Sequence, residues 1–158
     1  MKTIYMTIAA AALALPFATA ALSEADNPFA ANIAARQGQM RVQAFNIGVL
    51  VAMARGEAEY DAAAAQTAAS NIAAISQMDG RAYWPAGSDT AALGDATRAL
   101  PEIWQDMAGF GGAWGDFGAT ATAMNAVAGD GLGALQGAIG PLGQSCAACH
   151  RTYQQSDD

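Results

Sequence analysis

The chain has 158 residues, of which 14 are acidic and 7 are basic, so its formal net charge at pH 7 is −7. This acidic balance argues against nucleic acid and anionic lipid as partners, because both are bound through basic patches. The length is sufficient for a single domain with its own core.

The first twenty residues have the pattern of a cleaved secretory signal peptide. Lys2 provides a charged start, residues 4–17 are mostly apolar, and Ala18-Thr19-Ala20 matches an A-x-A cleavage site. The apolar stretch is too short to span a bilayer, and no later stretch reaches the required length. We therefore expect residues 1–20 to be removed and residues 21–158 to form one secreted domain without a membrane span.

Helical spacing of apolar residues dominates the rest of the chain, and no run of β-branched residues reaches strand length. Four main helices are predicted: from a cap at Asn27-Pro28 to Gly56, from about Ala58 to Asp79-Gly80, from Pro101 to about Ala128, and from about Gly133 past Tyr153. A loop is expected over residues 81–88 and a short helical piece over residues 90–99. Four helices with short connections favour an all-α fold, an antiparallel four-helix bundle.

The last predicted helix carries the motif Cys146-Ala147-Ala148-Cys149-His150. Residues at i, i+3 and i+4 lie on one helix face, so the two thiols and the imidazole point the same way. C-x-x-C-H is typical of c-type haem attachment, in which the cysteines form thioethers and the histidine binds the iron. His150 is also the only histidine of the chain. We therefore predict one covalent haem c held by Cys146 and Cys149, with His150 as an axial iron ligand. Together with the secretory signal, this indicates the periplasm.

Two other chemistries use the same residue types. A thiol–disulfide pair is expected in a βαβ context, whereas this motif lies in a helical region rich in Ala and Gly. A structural zinc site needs four ligands, so a carboxylate would have to complete the two cysteines and one histidine. The thiol–disulfide alternative predicts a colourless protein with titratable thiols.

With its haem motif close to the C-terminus, on the last of four predicted helices, the chain resembles the class II cytochromes c, the cytochrome c prime family. The matching pieces follow the family's order: Arg36-Gln37-Gly38-Gln39-Met40, Tyr60-Asp61 with the alanines after it, Trp84-Pro85-Ala86-Gly87, Leu100-Pro101-Glu102-Ile103-Trp104 and CAACHRTY. The resemblance implies a periplasmic four-helix bundle with one haem c, His150 as proximal ligand, and Arg36 near a haem propionate. One position departs from the family, because Gln154 stands four residues after His150, where a basic residue is common. This departure leaves the tuning of the proximal side open.

The second axial position of the iron depends on Met40. A strong protein ligand there could only be a methionine, because residues 21–158 contain no second histidine and no lysine. Met40 stands at the family's distal position and four residues after Arg36, so both side chains share a helix face. We predict Met40 as the second axial ligand and Arg36 as the propionate partner. The alternatives are that Met40 is an apolar lid or a core filler, and that Arg36 is a solvated helix arginine.

Other large apolar side chains are predicted to be internal. The methionines expected in the core are Met53, Met107 and Met124. The aromatic residues expected to wall the haem or the core are Phe45, Trp104, Phe110, Phe117 and Tyr153. Helical spacing does not separate these two roles.

The ligation of the iron separates the function classes. A Met/His pair predicts an electron carrier, because its ligation changes little between oxidation states. Five-coordinate iron predicts a cytochrome c prime that binds nitric oxide or carbon monoxide. We predict the electron carrier and no enzyme, because the chain offers no second histidine, acid–base pair or phosphate-binding loop.

The expected partners are redox proteins with a basic docking patch, since complementary charge raises the rate of encounter. The resemblance also implies that two bundles can pair through their first two helices, so monomer and homodimer both stay open.

Overall fold

The computed structural model describes residues 27–156, so the predicted signal peptide and its cleavage site lie outside the described residues. Six α-helices are present in this range: α1 (Ala30–Ala54), α2 (Ala62–Ser76), α3 (Thr90–Leu93), α4 (Glu102–Gln105), α5 (Met107–Val127) and α6 (Leu132–Tyr153). Short 3-10 turns occupy Arg81–Tyr83 and Gly94–Ala96. Pairing of the β type within residues 27–156 is confined to an isolated antiparallel bridge between Ala99 and Gln154.

The four long helices form a closed bundle. α1 contacts α2 and α6, and α5 contacts the same two helices, so each long helix packs against two neighbours. The all-α four-helix bundle predicted from the sequence is confirmed. No helix within residues 27–156 is both long and apolar enough to cross a membrane.

The bundle core combines large aliphatic side chains with alanines. Its fully buried large residues are Leu50, Ile72, Met124, Leu135 and Leu142. Burying each of these side chains contributes about 1.5–3 kcal/mol. The buried alanines of α2, at positions 65, 68 and 69, leave room for the neighbouring helices to approach. Met53 is buried as well, so the core positions predicted for Met53 and Met124 are confirmed.

The third predicted helix is interrupted at Asp106. This residue adopts φ −136° and ψ 66°, and its Oδ1 accepts a hydrogen bond from the Gly109 N–H at 2.9 Å. The cap starts α5 anew at Met107, so the continuous helix predicted from Pro101 was wrong at this point. Apolar periodicity does not predict such a helix cap, in which a short polar side chain accepts a hydrogen bond from a backbone N–H. Met107 lies in the first turn of α5 and is 48% exposed, so its predicted place in the core was also wrong.

The first two helices both begin later than predicted. Asn27 Oδ1 accepts a hydrogen bond from the Phe29 N–H at 2.9 Å and closes a turn that precedes α1. Asp61 Oδ1 accepts from the Ala64 N–H at 2.9 Å and caps α2. The last helix, α6, continues through Pro141 without a break.

The segment between α2 and α5 forms a second, smaller apolar cluster with the start of α5 and the end of α6. It comprises Ala99, Ile103, Phe110 and Tyr153, with Trp84, Trp104 and Cys149 packed against it. Because this cluster includes the last turn of α6, the segment places its side chains beside the C-x-x-C-H motif.

Candidate functional site

The thiols of the C-x-x-C-H motif are half-buried on α6. Cys146 packs against the bundle core, and Cys149 packs against the smaller cluster around Phe110. Burial raises the pKa of both thiols, and the neighbouring Cys146 raises that of Cys149 further. The thiols are therefore protonated at neutral pH, whereas a thiol–disulfide enzyme depends on a thiol of lowered pKa. This environment argues against a site of disulfide exchange.

A cavity of about 310 Å³ lies beside the motif. Its walls come from four parts of the fold. They include Arg36 and Met40 from α1, Trp84 and Thr97 from the segment between α2 and α5, Phe110 from α5, and Cys149 and His150 from α6. Four of the five residues predicted to form the site therefore line one cavity, although α1 and the motif are far apart in the sequence.

A second cavity, of about 110 Å³, lies between α1, α5 and α6. Met40, Cys149 and His150 line it as well, joined by Cys146 and by Gln43. The two cavities thus share three lining residues, and together they bring all five predicted site residues to one place.

These side chains are a donor set that fits haem c. Partial burial, followed by the nearby charge of Arg98, lowers the pKa of His150. The imidazole is therefore neutral at pH 7, which is the form that binds a metal ion. Two thiols that can form thioethers, an imidazole and the soft thioether of Met40 face the same apolar space. This combination is what covalent haem requires of a protein.

Arg36 is 3% exposed, which contradicts the alternative of a solvated helix arginine. Its Nη1 donates to Ser88 Oγ at 2.8 Å and its Nη2 to Thr97 Oγ1 at 2.7 Å. It also donates to the carbonyl oxygens of Tyr83 and Ser88, and its guanidinium carbon lies 4.6 Å from the ring centroid of Trp84. Arg36 therefore ties α1 to the segment that closes the cavity. Its contact with a haem propionate stays a prediction.

Sequence reasoning did not single out the other charged lining residues, Arg41 and Arg98. Arg98 reaches the cavity because its segment pairs with the end of α6. The Leu100 N–H donates to the Tyr153 carbonyl at 3.0 Å, and the Gln155 N–H donates to the Arg98 carbonyl at 2.9 Å. No local pattern distinguishes Arg98 from a solvated arginine, so only this long-range pairing identifies it.

Aromatic rings form one wall of the larger cavity. Trp84 meets Phe110 with ring centroids 4.9 Å apart, and Phe110 meets Tyr153 at 5.3 Å, both edge to face. Phe110 and Tyr153 were predicted as wall or core residues, and this is confirmed. Phe45 is 72% exposed, so its predicted internal position was wrong. It lies on the solvent-exposed side of α1.

The remaining predicted aromatics pack inside the protein. Phe117 is buried in the main core and also lines the smaller cavity. Trp104 packs against the smaller cluster, and its Nε1 donates to the Trp84 carbonyl at 3.1 Å. Trp104 therefore supports the aromatic wall from behind.

Known proteins resemble the chain over nearly all of its described length. A family model described as Cytochrome C′ matches residues 31–154. Cytochrome c-554 of Cereibacter sphaeroides is 40% identical over 127 residues, which cover 79% of this chain and 93% of that protein. The solved structure of cytochrome c′ from Rhodobacter Spheriodes superposes with a TM-score of 0.79 and 32% identity, covering 82% of this chain and 99% of that one. A cytochrome c′ with ligand-controlled dimer dissociation superposes with a TM-score of 0.73 and 30% identity, covering 82% and 98%.

Proposed function

The chain belongs to the Cytochrome C′ family of class II cytochromes c, and on that premise we propose that it carries single electrons with haem iron ligated by His150 and Met40. Its cofactor is haem c, which supplies a metal centre that gains and loses one electron. The protein's part is to hold this group, to set its axial ligands and to govern access to the iron.

The observation that carries the proposal is the position of Met40. It lines both cavities together with His150, although one residue belongs to α1 and the other to α6. α1 and α6 pack against each other, so the thioether and the imidazole face a common space between the helices. A methionine sulfur is a soft ligand that suits haem iron, and a Met/His pair raises its reduction potential. Ligation from two packed helices favours a coordination shell that changes little during electron transfer.

The remaining predicted residues serve attachment and orientation. Cys146 and Cys149 hold the group through thioethers, and His150 is the proximal ligand. Arg36 keeps its charge at the cavity wall, where it attracts a propionate. Its guanidinium is already oriented by Ser88 and Thr97, so little side-chain freedom is lost when the propionate binds.

We place this activity in the periplasm, on the signal pattern of residues 1–20 and on the haem attachment motif. The partners are redox proteins with a basic docking patch, which the excess of acidic residues would attract. The similarity to the relative named cytochrome c-554 supports a role as a c-type cytochrome.

The test is the visible spectrum of the purified protein and of Met40→Ala, in both oxidation states and with carbon monoxide. We expect the unchanged protein to be low-spin and to show the weak far-red band of a methionine–ferric bond. Its spectrum should not change when carbon monoxide is added. Met40→Ala should lose that band, become high-spin and bind carbon monoxide, because no other methionine lines either cavity.

Met53→Leu is the matched control, because Met53 is a buried methionine of the main core that lines neither cavity. This volume-conserving change should leave the spectrum as it is. A high-spin spectrum of the unchanged protein that shifts with carbon monoxide would contradict Met40 ligation. Binding of nitric oxide or carbon monoxide would then be the function, with Met40 as a lid.

A further inference from the structure

Gln43 is the most deeply buried polar side chain that faces the site without a partner. It is 6% exposed, and its Nε2 makes no hydrogen bond within the described part of the chain. A buried amide N–H without an acceptor is unfavourable, because it has given up its hydrogen bonds with water. Natural proteins tolerate such groups mainly where a ligand, an ion or a water completes them.

The position of Gln43 indicates where an acceptor for its amide N–H would lie. Gln43 lines the smaller cavity together with Met40, Cys149 and His150. It follows Met40 by three residues and Arg36 by seven, so the three side chains lie along one face of α1. Gln43 therefore borders the same cavity as the two predicted axial ligands.

Outside the C-x-x-C-H motif, the other polar side chains that line this cavity already have partners. Ser145 Oγ donates to the Leu142 carbonyl at 2.8 Å and shares a hydrogen bond of 2.9 Å with Thr120 Oγ1. Trp114 Nε1 donates to the Ser76 carbonyl at 3.1 Å. Outside the motif, Gln43 is thus the cavity-lining donor that lacks a partner within residues 27–156.

We propose that Gln43 donates a hydrogen bond to the ligand in the sixth coordination position of the haem iron. The inference rests on the proposed haem site, but it holds whether the acceptor is the Met40 sulfur or the outer atom of a small ligand such as cyanide. With Met40 bound, the amide would draw electron density from the thioether and raise the reduction potential, as outer hydrogen bonds to iron ligands do. With an external ligand, it would favour ligands that accept a hydrogen bond over those that do not.

The experiment compares Gln43→Leu with Gln39→Leu, both in the holoprotein with Met40→Ala. Gln39 is the matched control, because its Nε2 is also buried without a partner but lines a different cavity, beside Met78 and Met107. The probes are cyanide, which accepts a hydrogen bond, on the ferric protein, and carbon monoxide, a poor acceptor, on the ferrous protein. Gln43→Leu should weaken cyanide binding about five- to tenfold, the effect of one lost hydrogen bond. It should leave carbon monoxide affinity within about twofold, and Gln39→Leu should change neither affinity.

Equal cyanide affinities of the two double variants would overturn the proposal. A parallel loss of cyanide and carbon monoxide affinity in Gln43→Leu would overturn it too, because repacking of the cavity affects both ligands. A low-spin Met40→Ala protein would contradict Met40 ligation, whereas the cyanide comparison still decides the role of Gln43. If Met40→Ala does not accumulate with haem, the reduction potentials of the two single glutamine variants decide. Gln43→Leu alone should then lower the potential, and an unchanged potential would overturn the proposal.

Discussion

Single atoms decide how α5 and α6 meet beside the site. The Gly109 N–H donates the capping hydrogen bond to Asp106 Oδ1 at the start of α5, and the Tyr153 hydroxyl of α6 also lies close to Gly109. A Cβ at Gly109 would collide with the Asp106 carboxylate and lie 2.7 Å from Tyr153 Oη. The absent side chain therefore allows the cap of one helix to contact the end of the other.

Gly109→Ala should consequently destabilise the holoprotein by about 1–3 kcal/mol, the usual effect of overpacking. The measurement is chemical denaturation followed by far-UV circular dichroism. Gly115→Ala is the control, because an added Cβ there meets no atom within 4 Å. That change should stabilise α5 by up to about 1 kcal/mol. Equal effects of the two substitutions would contradict the close approach at Gly109.

Arg36 is the second residue whose surroundings lead to a prediction. Lysine keeps the charge but lacks the planar fork that reaches Ser88 and Thr97 at once. Arg36→Lys should therefore lower the free energy of unfolding by about 1–3 kcal/mol, because buried acceptors lose their donors. Arg55→Lys, at an exposed arginine whose ion pair with Glu57 spans 3.9 Å, should change it by less than about 0.5 kcal/mol. The measurement is thermal unfolding of both variants. Equal losses of stability would contradict the role of Arg36 in tying α1 to the segment that closes the cavity.

At the scale of elements, the proposed function depends on α1 and α6 lying side by side. α6 carries the cysteines and His150, and α1 carries Arg36, Met40 and Gln43. Residues of both helices line the two cavities, and covalent haem would fill this space. Cavities of this kind cost dispersion contacts along their walls.

Cys146→Ser together with Cys149→Ser should abolish covalent haem, which mass spectrometry of the purified chain will detect as the missing mass. The apoprotein should keep helical far-UV circular dichroism, lose near-UV signal and bind hydrophobic dyes, because its packing is loosened. A colourless double variant with sharp, cooperative unfolding and native near-UV signal would show that the core does not need haem.

At the scale of the whole molecule, net charge governs encounter. The chain carries 14 acidic residues against 7 basic ones, and three of its arginines, Arg36, Arg41 and Arg98, line the site cavity. The arginines that line the cavity are suited to the negatively charged propionates of haem. The net negative charge of the chain as a whole is suited to positively charged partner proteins.

Electron transfer to a positively charged small redox protein should therefore slow with salt. Between about 0.01 M and about 1 M salt the Debye length shrinks from about 30 Å to about 3 Å. The bimolecular rate measured by stopped flow should fall about tenfold or more over this range. A negatively charged partner is the control, and its rate should rise or stay constant. A rate with the basic partner that increases with salt would refute the charge argument.

The local sequence was enough to predict covalent haem and the helical class, because both depend on short spacing. Cys146, Cys149 and His150 fall on one face of a helix by their separation alone, and the helical repeat of apolar residues needs no tertiary partner. Helix ends were predicted less well, since caps such as Asp106 depend on individual hydrogen bonds that periodicity does not contain. Met107 and Phe45 were predicted to be internal but are exposed. Helices rich in Ala and Gly have a weak apolar stripe, so their sequence does not define the buried face.

Only the tertiary structure decided which distant residues meet. Packing of α1 against α6 places Met40 in the same two cavities as His150. Pairing of the segment around Leu100 with the end of α6 brings Arg98 to the cavity, and burial deprives Gln43 of water. These relations arise from long-range contacts between helices, whereas the sequence alone specifies only what each helix carries on its own surface.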